Sequence, residues 1–191
     1  MLDNFVELES YALELAATTL SSSAIVLTDF SQAFASLSWD FMFLTLQHMG
    51  DPANIITAIR LLYADAEHQL VLGRSVYPGF QVLAGIKQGC PLSALLFCIA
   101  LDPFVRALNS RLSIAGGHVC SYLDDIGFTI PFLLRDLSSV LLLFDTLASI
   151  ASLCLKKSKC TIVPLWAFDA GSLAALLREH CPSANDFCIK T

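Results

Sequence analysis

Charge is scarce in this chain of 191 residues. Asp, Glu, Lys and Arg together make up 15%, and positive charge is the scarcer sign, with 11 Lys and Arg against 17 Asp and Glu. A net charge of −6 repels phosphate, which excludes an autonomous basic nucleic-acid binder, since such proteins draw their affinity from phosphate contacts. Long apolar runs are also missing. The longest, Ala94–Leu101, has eight residues, far short of the ~20 that span a bilayer. Val140–Leu155 comes nearest to a span, but Asp145, Ser149 and Ser152 interrupt it. A basic leader is absent, because Asp3, Glu7 and Glu9 stand in its place. None of the seven cysteines forms a C-x₂-C pair, and their odd number and uneven spacing exclude a disulfide scaffold or zinc ribbon. Cys154, Cys160, Cys181 and Cys188, with His180 nearby, therefore read as free thiols in a reducing, intracellular setting. His48, His68 and His118 lack a nucleophile at any recognisable spacing, which leaves a hydrolase triad without support.

Apolar residues make up 55% of the chain and the mean hydropathy is +0.66. That is enough to bury a core and excludes intrinsic disorder. No repeat or long linker divides the sequence. A helix is predicted over 4–17, with Phe5, Leu8, Ala12 and Leu15 on one face, broken by Ser21–Ser23. Ala24–Leu27 reads as a short buried strand ending at Thr28–Asp29. Helices follow over 38–49, stopped by Gly50, and from an N-cap at Asp51, with Pro52 at the first helical position, to about Tyr63.

Strands near 67–72 and 76–83 are joined across Gly73–Arg74. An irregular stretch, Gly85–Pro91, leads into a helix whose Leu92, Leu95, Leu96 and Ile99 share a face. Strands at 118–122 and 126–130 flank a tight turn at Leu123–Asp124–Asp125. A helix over 133–153, a strand near 160–164 and a short helix capped by Asp169 complete the chain. The alternation predicts an α+β domain, a small antiparallel sheet with helices packed on one face.

Two acidic positions fall where strands end. Asp29 closes an apolar strand, and Asp124–Asp125 tips a hairpin. If those strands are neighbours, three carboxylates converge and repel one another unless a divalent cation neutralises them. Hard oxygen donors select Mg²⁺, with Mn²⁺ as the alternative, and such ions serve in-line phosphoryl transfer. Spacing alone also fits a turn-capping Asp29 and a plain hairpin pair.

Three motifs in order separate these readings: Asp29-Phe30-Ser31-Gln32-Ala33-Phe34, Gly85-Ile86-Lys87-Gln88-Gly89-Cys90-Pro91-Leu92-Ser93, and Tyr122-Leu123-Asp124-Asp125. Together with Ser152–Cys160 they resemble the palm of a reverse transcriptase, most closely the non-LTR (LINE-type) retrotransposon kind. The resemblance covers residues 1–164, with 165–191 as a connection toward a primer-grip and thumb region. It implies a polymerase palm that joins dNTP to a DNA primer on an RNA template with two Mg²⁺ ions.

On the matching positions, Asp29, Asp124 and Asp125 would be the catalytic and metal-binding carboxylates, with Asp125 coordinating less directly. Phe30 would lend backbone contacts, and Phe34 would gate the sugar by colliding with a 2′-hydroxyl. Gln88 and Gly89 would lie against the nascent base pair, and Lys159 would stand near the leaving pyrophosphate. Leu123 and Ala35 depart from the family's commoner Ala and acidic residue, and leave the carboxylates intact. The resemblance further implies that fingers and thumb lie outside this chain. The expectation is then weak nucleic-acid binding and little activity alone, with no membrane partner. A non-enzymatic retrotransposon remnant and a hydrophobic interaction protein are the competing readings.

Overall fold

The computed structural model describes residues 2–18, 22–64 and 66–190, and the side chains from Val6 onward. Ser21 and the Phe5 side chain lie outside the described residues. Helix α1 (Leu2–Thr18) leads into strand β1 (Ala24–Thr28), followed by α2 (Ala33–Ser36), α3 (Trp39–Met49) and α4 (Ala53–Tyr63). Strands β2 (Glu67–Leu72) and β3 (Ser75–Gln81) form a separate hairpin. Then come α5 (Ser93–Ser113), β4 (Val119–Tyr122), β5 (Asp125–Ile130), α6 (Leu133–Ala151), β6 (Thr161–Pro164), α7 (Ala170–His180) and β7 (Cys188–Ile189). The main sheet runs β4-β5-β1-β6-β7, antiparallel except for the β6–β7 pair.

Strand alternation decides which residues meet the helices. Ala24, Val26, Ile126, Phe128, Ile130 and Ile162 are buried in one core with α3, α5 and α6. Its centre is aromatic. Phe144 of α6 meets Phe104 of α5 edge-on at 4.8 Å and lies 6.0 Å from Phe30 and 6.4 Å from Phe128. Truncating such a ring to Ala costs about 3–5 kcal/mol. The expected small antiparallel sheet with its main helices on one face is present.

The structure adds α1 on the reverse face, where Leu8, Ala12 and Leu15 are buried. Gly127 permits that approach, since a Cβ there would lie 2.9 Å from the Leu8 side chain and 3.1 Å from that of Leu27.

Three local expectations need correction. The buried stripe of α5 is Leu96, Phe97, Ala100, Leu101, Phe104, Leu108 and Leu112, and Leu95 is exposed. Of the expected face, Leu96 is buried and Leu92 and Ile99 pack half-buried against the core, so Leu95 alone turns outward. Pro52, not Asp51, takes the N-cap place of α4, with no side-chain cap. Among the described residues the helix long and apolar enough to cross a membrane is α5, not the Val140–Leu155 region. In this fold α5 is a core helix, with the Asp102–Arg106 pair on its outer side and Arg111 turned toward α6.

Candidate active site

The floor of the site is the seam where β1 ends between β5 and β6. Thr28 pairs with Ile126, and the register carried one residue on sets Asp29 opposite Asp125. Asp29 is pinned from the other side. Its carbonyl accepts the Lys156 N–H at 2.8 Å, Phe30 bridges Leu155, and Ser31 N–H donates to the Cys154 carbonyl at 2.8 Å. The loop thus fixes the Asp29 backbone while its side chain stays one-third exposed.

Asp124 reaches the same place from the β4–β5 hairpin, which closes through Tyr122 paired with Asp125. Leu123 in that turn adopts φ 55°, a left-handed conformation that costs a bulky L-residue about 1–2 kcal/mol. Held there, it turns the chain so that Asp124 faces the cleft. Gln32, at φ 53°, makes a second left-handed turn where α2 begins, its carbonyl accepting Ala35 and Ser36 N–H at 2.9 and 3.0 Å.

Asp29, Gln32, Phe34, Gln88, Asp124 and Lys159 line one open cleft of about 490 Å³. Asp125 sits beside it. Its carboxyl is held above the ordinary aspartate range, first by partial desolvation and then by the charges of Asp124 and Asp29, with Lys159 opposing. Lys159 Nζ donates to Asp29 Oδ2 at 3.1 Å. Three carboxylates against one ammonium leave an excess of hard, anionic oxygen donors, the donor chemistry that suits a divalent cation. Among the described residues the three carboxylates do not form a cluster with all ligand atoms within 4.8 Å.

The remaining positions divide between packing and cleft. The Phe30 ring is buried in the core against Phe144, leaving its backbone at the site. Phe34 is half-buried and stacks on Phe97 with centroids 4.6 Å apart and planes 17° from parallel. Its carbonyl accepts Ile86 N–H at 2.6 Å, Gly85 N–H donates to the Leu37 carbonyl at 2.8 Å, and Trp39 Nε1 donates to the Gly85 carbonyl at 2.6 Å. These bonds hold the 85–89 loop against α2 and put Gln88 at the cleft. Gly89 follows at φ 84° in open space.

Gln32 and the Gly85 anchor carry no sequence signal that marks them as parts of the site. A left-handed Gln leaves no compositional trace, and the anchor depends on contacts from distant segments. All seven cysteines are free thiols, with Cys120, Cys160 and Cys181 buried.

A sheet that brings two acidic turns to one cleft, on the face away from its core helices, has the fold of a polymerase palm. Residues 3–170 match the family described as reverse transcriptase (RNA-dependent DNA polymerase), and the chain belongs to that family. Its relatives mark it as a reverse transcriptase domain of the non-LTR retrotransposon kind. The Xenopus laevis transposon TX1 uncharacterized 149 kDa protein is 30% identical over 53% of this chain and 8% of its own length. The Drosophila melanogaster Pol polyprotein from the type-2 retrotransposable element R2DM is 27% identical over 75% of this chain and 15% of its own length. This chain therefore spans a small part of the curated relatives it matches.

Among solved structures, apo telomerase from Candida tropicalis shares the fold with TM-score 0.66 at 16% identity, over 88% of this chain and 35% of that one. Telomerase from Candida albicans, in complex with a telomeric RNA fragment, does so with TM-score 0.63 at 13% identity, over 85% and 31%.

Proposed function

We propose that this chain is the catalytic palm of an RNA-directed DNA polymerase, joining a dNTP to the 3′-hydroxyl of a DNA primer paired with an RNA template. The observation that carries the reading is the shared cleft. Asp29 and Asp124, brought from separate loops, line it together with Gln88, Phe34 and Lys159. In the reaction the primer 3′-hydroxyl gives up its proton to solvent, its oxygen bonds to the α-phosphorus, the bond from that phosphorus to the bridging oxygen breaks, and pyrophosphate leaves with the electron pair of the broken bond.

Asp29 and Asp124 would hold Mg²⁺, or Mn²⁺ in its place, with Asp125 as a flanking carboxylate. Bound there, the cations supply charge neutralisation at the reacting phosphate and a more acidic 3′-hydroxyl. Phe34 presents its ring where a sugar would lie and disfavours a 2′-hydroxyl. The Gln88 amide, both donor and acceptor, lies at the cleft wall to meet the nascent pair, with Gly89 allowing close backbone approach. Lys159 stabilises negative charge on the leaving pyrophosphate once its bond to Asp29 is released.

Residues 165–191 lead toward a primer-grip and thumb region in this reading, and an intracellular setting suits seven free thiols. With a net charge of −6, the chain alone should bind primer–template weakly and extend it slowly.

Manganese binding followed by electron paramagnetic resonance tests the site in the full chain. Asp29→Asn and Asp124→Asn should each weaken it by about tenfold or more, and Asp124→Ala should abolish any primer extension. Unchanged manganese affinity in both carboxamide variants would remove the ligand role and leave the non-enzymatic reading.

A further inference from the structure

We propose that Glu7, His118 and Cys120 form a second metal site, for a borderline-soft divalent ion of the zinc class, on the sheet face that also carries Asp29 and Asp125 but toward the start of β4, away from the Asp124 turn. The carboxylate, imidazole and thiol donor atoms lie within 4.8 Å of one another. Glu7 Oε1 and His118 Nε2 are already 3.2 Å apart. A tetrahedral zinc ion with ligands at about 2.0–2.3 Å holds them roughly 3.3–3.7 Å from each other. Closing the set onto one ion therefore takes a side-chain movement of about 1 Å, and the half-exposed Glu7 is free to make it.

The site is built, not merely adjacent. His118 and Cys120 alternate onto the same face of the β4 segment, and Glu7 comes down from α1. The His118 ring is clamped by Tyr11, one helical turn from Glu7, with centroids 3.9 Å apart and planes 11° from parallel. Its backbone is fixed as well. His118 N–H donates to Thr129 Oγ1 at 2.9 Å, and its carbonyl accepts Thr129 N–H at 2.9 Å. Cys120 is 8% exposed, and among the described residues nothing hydrogen-bonds its thiol. A buried, unpartnered sulfur aimed at an imidazole and a carboxylate is a ligand set for zinc and a poor one for magnesium. Three protein donors leave a fourth position for water.

The ion would staple α1 to the hairpin that carries Asp124 at its other end. Periodicity could not show this set, because its third member comes from a helix more than a hundred residues upstream.

Cobalt(II), a spectroscopic substitute for zinc, tests the site on the full chain in excess Mg²⁺, which fills hard oxygen sites without competing for sulfur. One equivalent should bring up thiolate-to-cobalt absorption, and Zn²⁺ should raise the Tm. Cys120→Ser should remove both effects, whereas Cys98→Ser, on an exposed α5 position, should keep them. Glu7→Gln and His118→Gln should weaken cobalt binding about tenfold or more. No absorption at one equivalent, or absorption that survives Cys120→Ser, overturns the proposal. So does unchanged affinity in Glu7→Gln, a surface substitution that keeps the core whole even if Cys120→Ser fails to fold. Neither result depends on the catalytic reading of Asp29 and Asp124.

Discussion

The ammonium of Lys159 donates to Asp29 Oδ2 at 3.1 Å across the mouth of the cleft, with more than half of the lysine side chain in solvent. A cation approaching Asp29 must displace this contact, so Lys159 competes with metal at the oxygen it covers. Lys159→Met should therefore raise manganese affinity about fivefold, equivalent to the ~1 kcal/mol between unit charges about 4 Å apart in water. Primer extension should fall in the same variant if the lysine acts on pyrophosphate. Lys190→Met, far along the chain, should do neither. A drop in manganese affinity in Lys159→Met would reverse the assigned competition.

Phe34 has two roles that one substitution separates. Its ring stacks on Phe97, so Phe34→Ala should cost about 1–2 kcal/mol in urea unfolding, as expected for a half-buried ring. It also faces the cleft, so the preference for dNTP over rNTP in primer extension should narrow by about tenfold or more. Loss of stability with an unchanged preference would make Phe34 a packing residue alone.

Much of the fold is legible in the sequence, for definable physical reasons. Ala24–Leu27 is continuously apolar because β1 is flanked by β5 and β6. The Asp124 turn shows because Ile126–Ile130 returns at once in the same pattern. Gln88 and Lys159 have no such signature and stand out only through the motif order. β7 escaped because a two-residue strand, Cys188–Ile189, is too short to show alternation and is fixed by pairing with β6. The reverse-face position of α1 escaped because its stripe says that it packs, not on which side. Leu123 at φ 55° contradicts local propensity, and such conflicts are expected where a turn serves a site.

Gly85 and Gly89 share a left-handed backbone in the same loop and should respond differently to alanine. At Gly85, φ 85°, a Cβ would stand 2.5 Å from the Ala35 carbonyl oxygen. Neither backbone can yield without breaking the bonds to Leu37 and Trp39. At Gly89, φ 84°, nothing lies within 4 Å. Gly85→Ala should cost about 2–4 kcal/mol and Gly89→Ala about 1 kcal/mol in urea unfolding, the difference being the clash alone. Equal losses would show that the loop is not seated against α2 as described.

Asp136, buried in the first turn of α6, gives a prediction in pH. Arg135 donates to both its oxygens, Nε at 2.9 Å and Nη2 at 2.7 Å, and Arg111 from α5 stands 4.0 Å away while donating to Ser139 Oγ at 2.8 Å. The Arg135 hydrogen bonds are the main cause holding its carboxyl below the ordinary aspartate range, with the Arg135 and Arg111 charges adding to them and burial opposing. A carboxyl more acidic in the folded than in the unfolded chain contributes stability above its unfolded pKa, about 3.9. That contribution is lost as pH falls through the lower folded value. Asp136→Asn should therefore destabilise the protein by about 1–2 kcal/mol at pH 7, the worth of a charge-assisted pair whose arginines are partly in water. The gap between variant and parent should shrink progressively below about pH 4. Other carboxylates titrate in the same window, but they titrate alike in both proteins and cancel in the difference. A gap that holds constant from pH 7 down to pH 3 would assign the loss to packing at α6 and not to the charge.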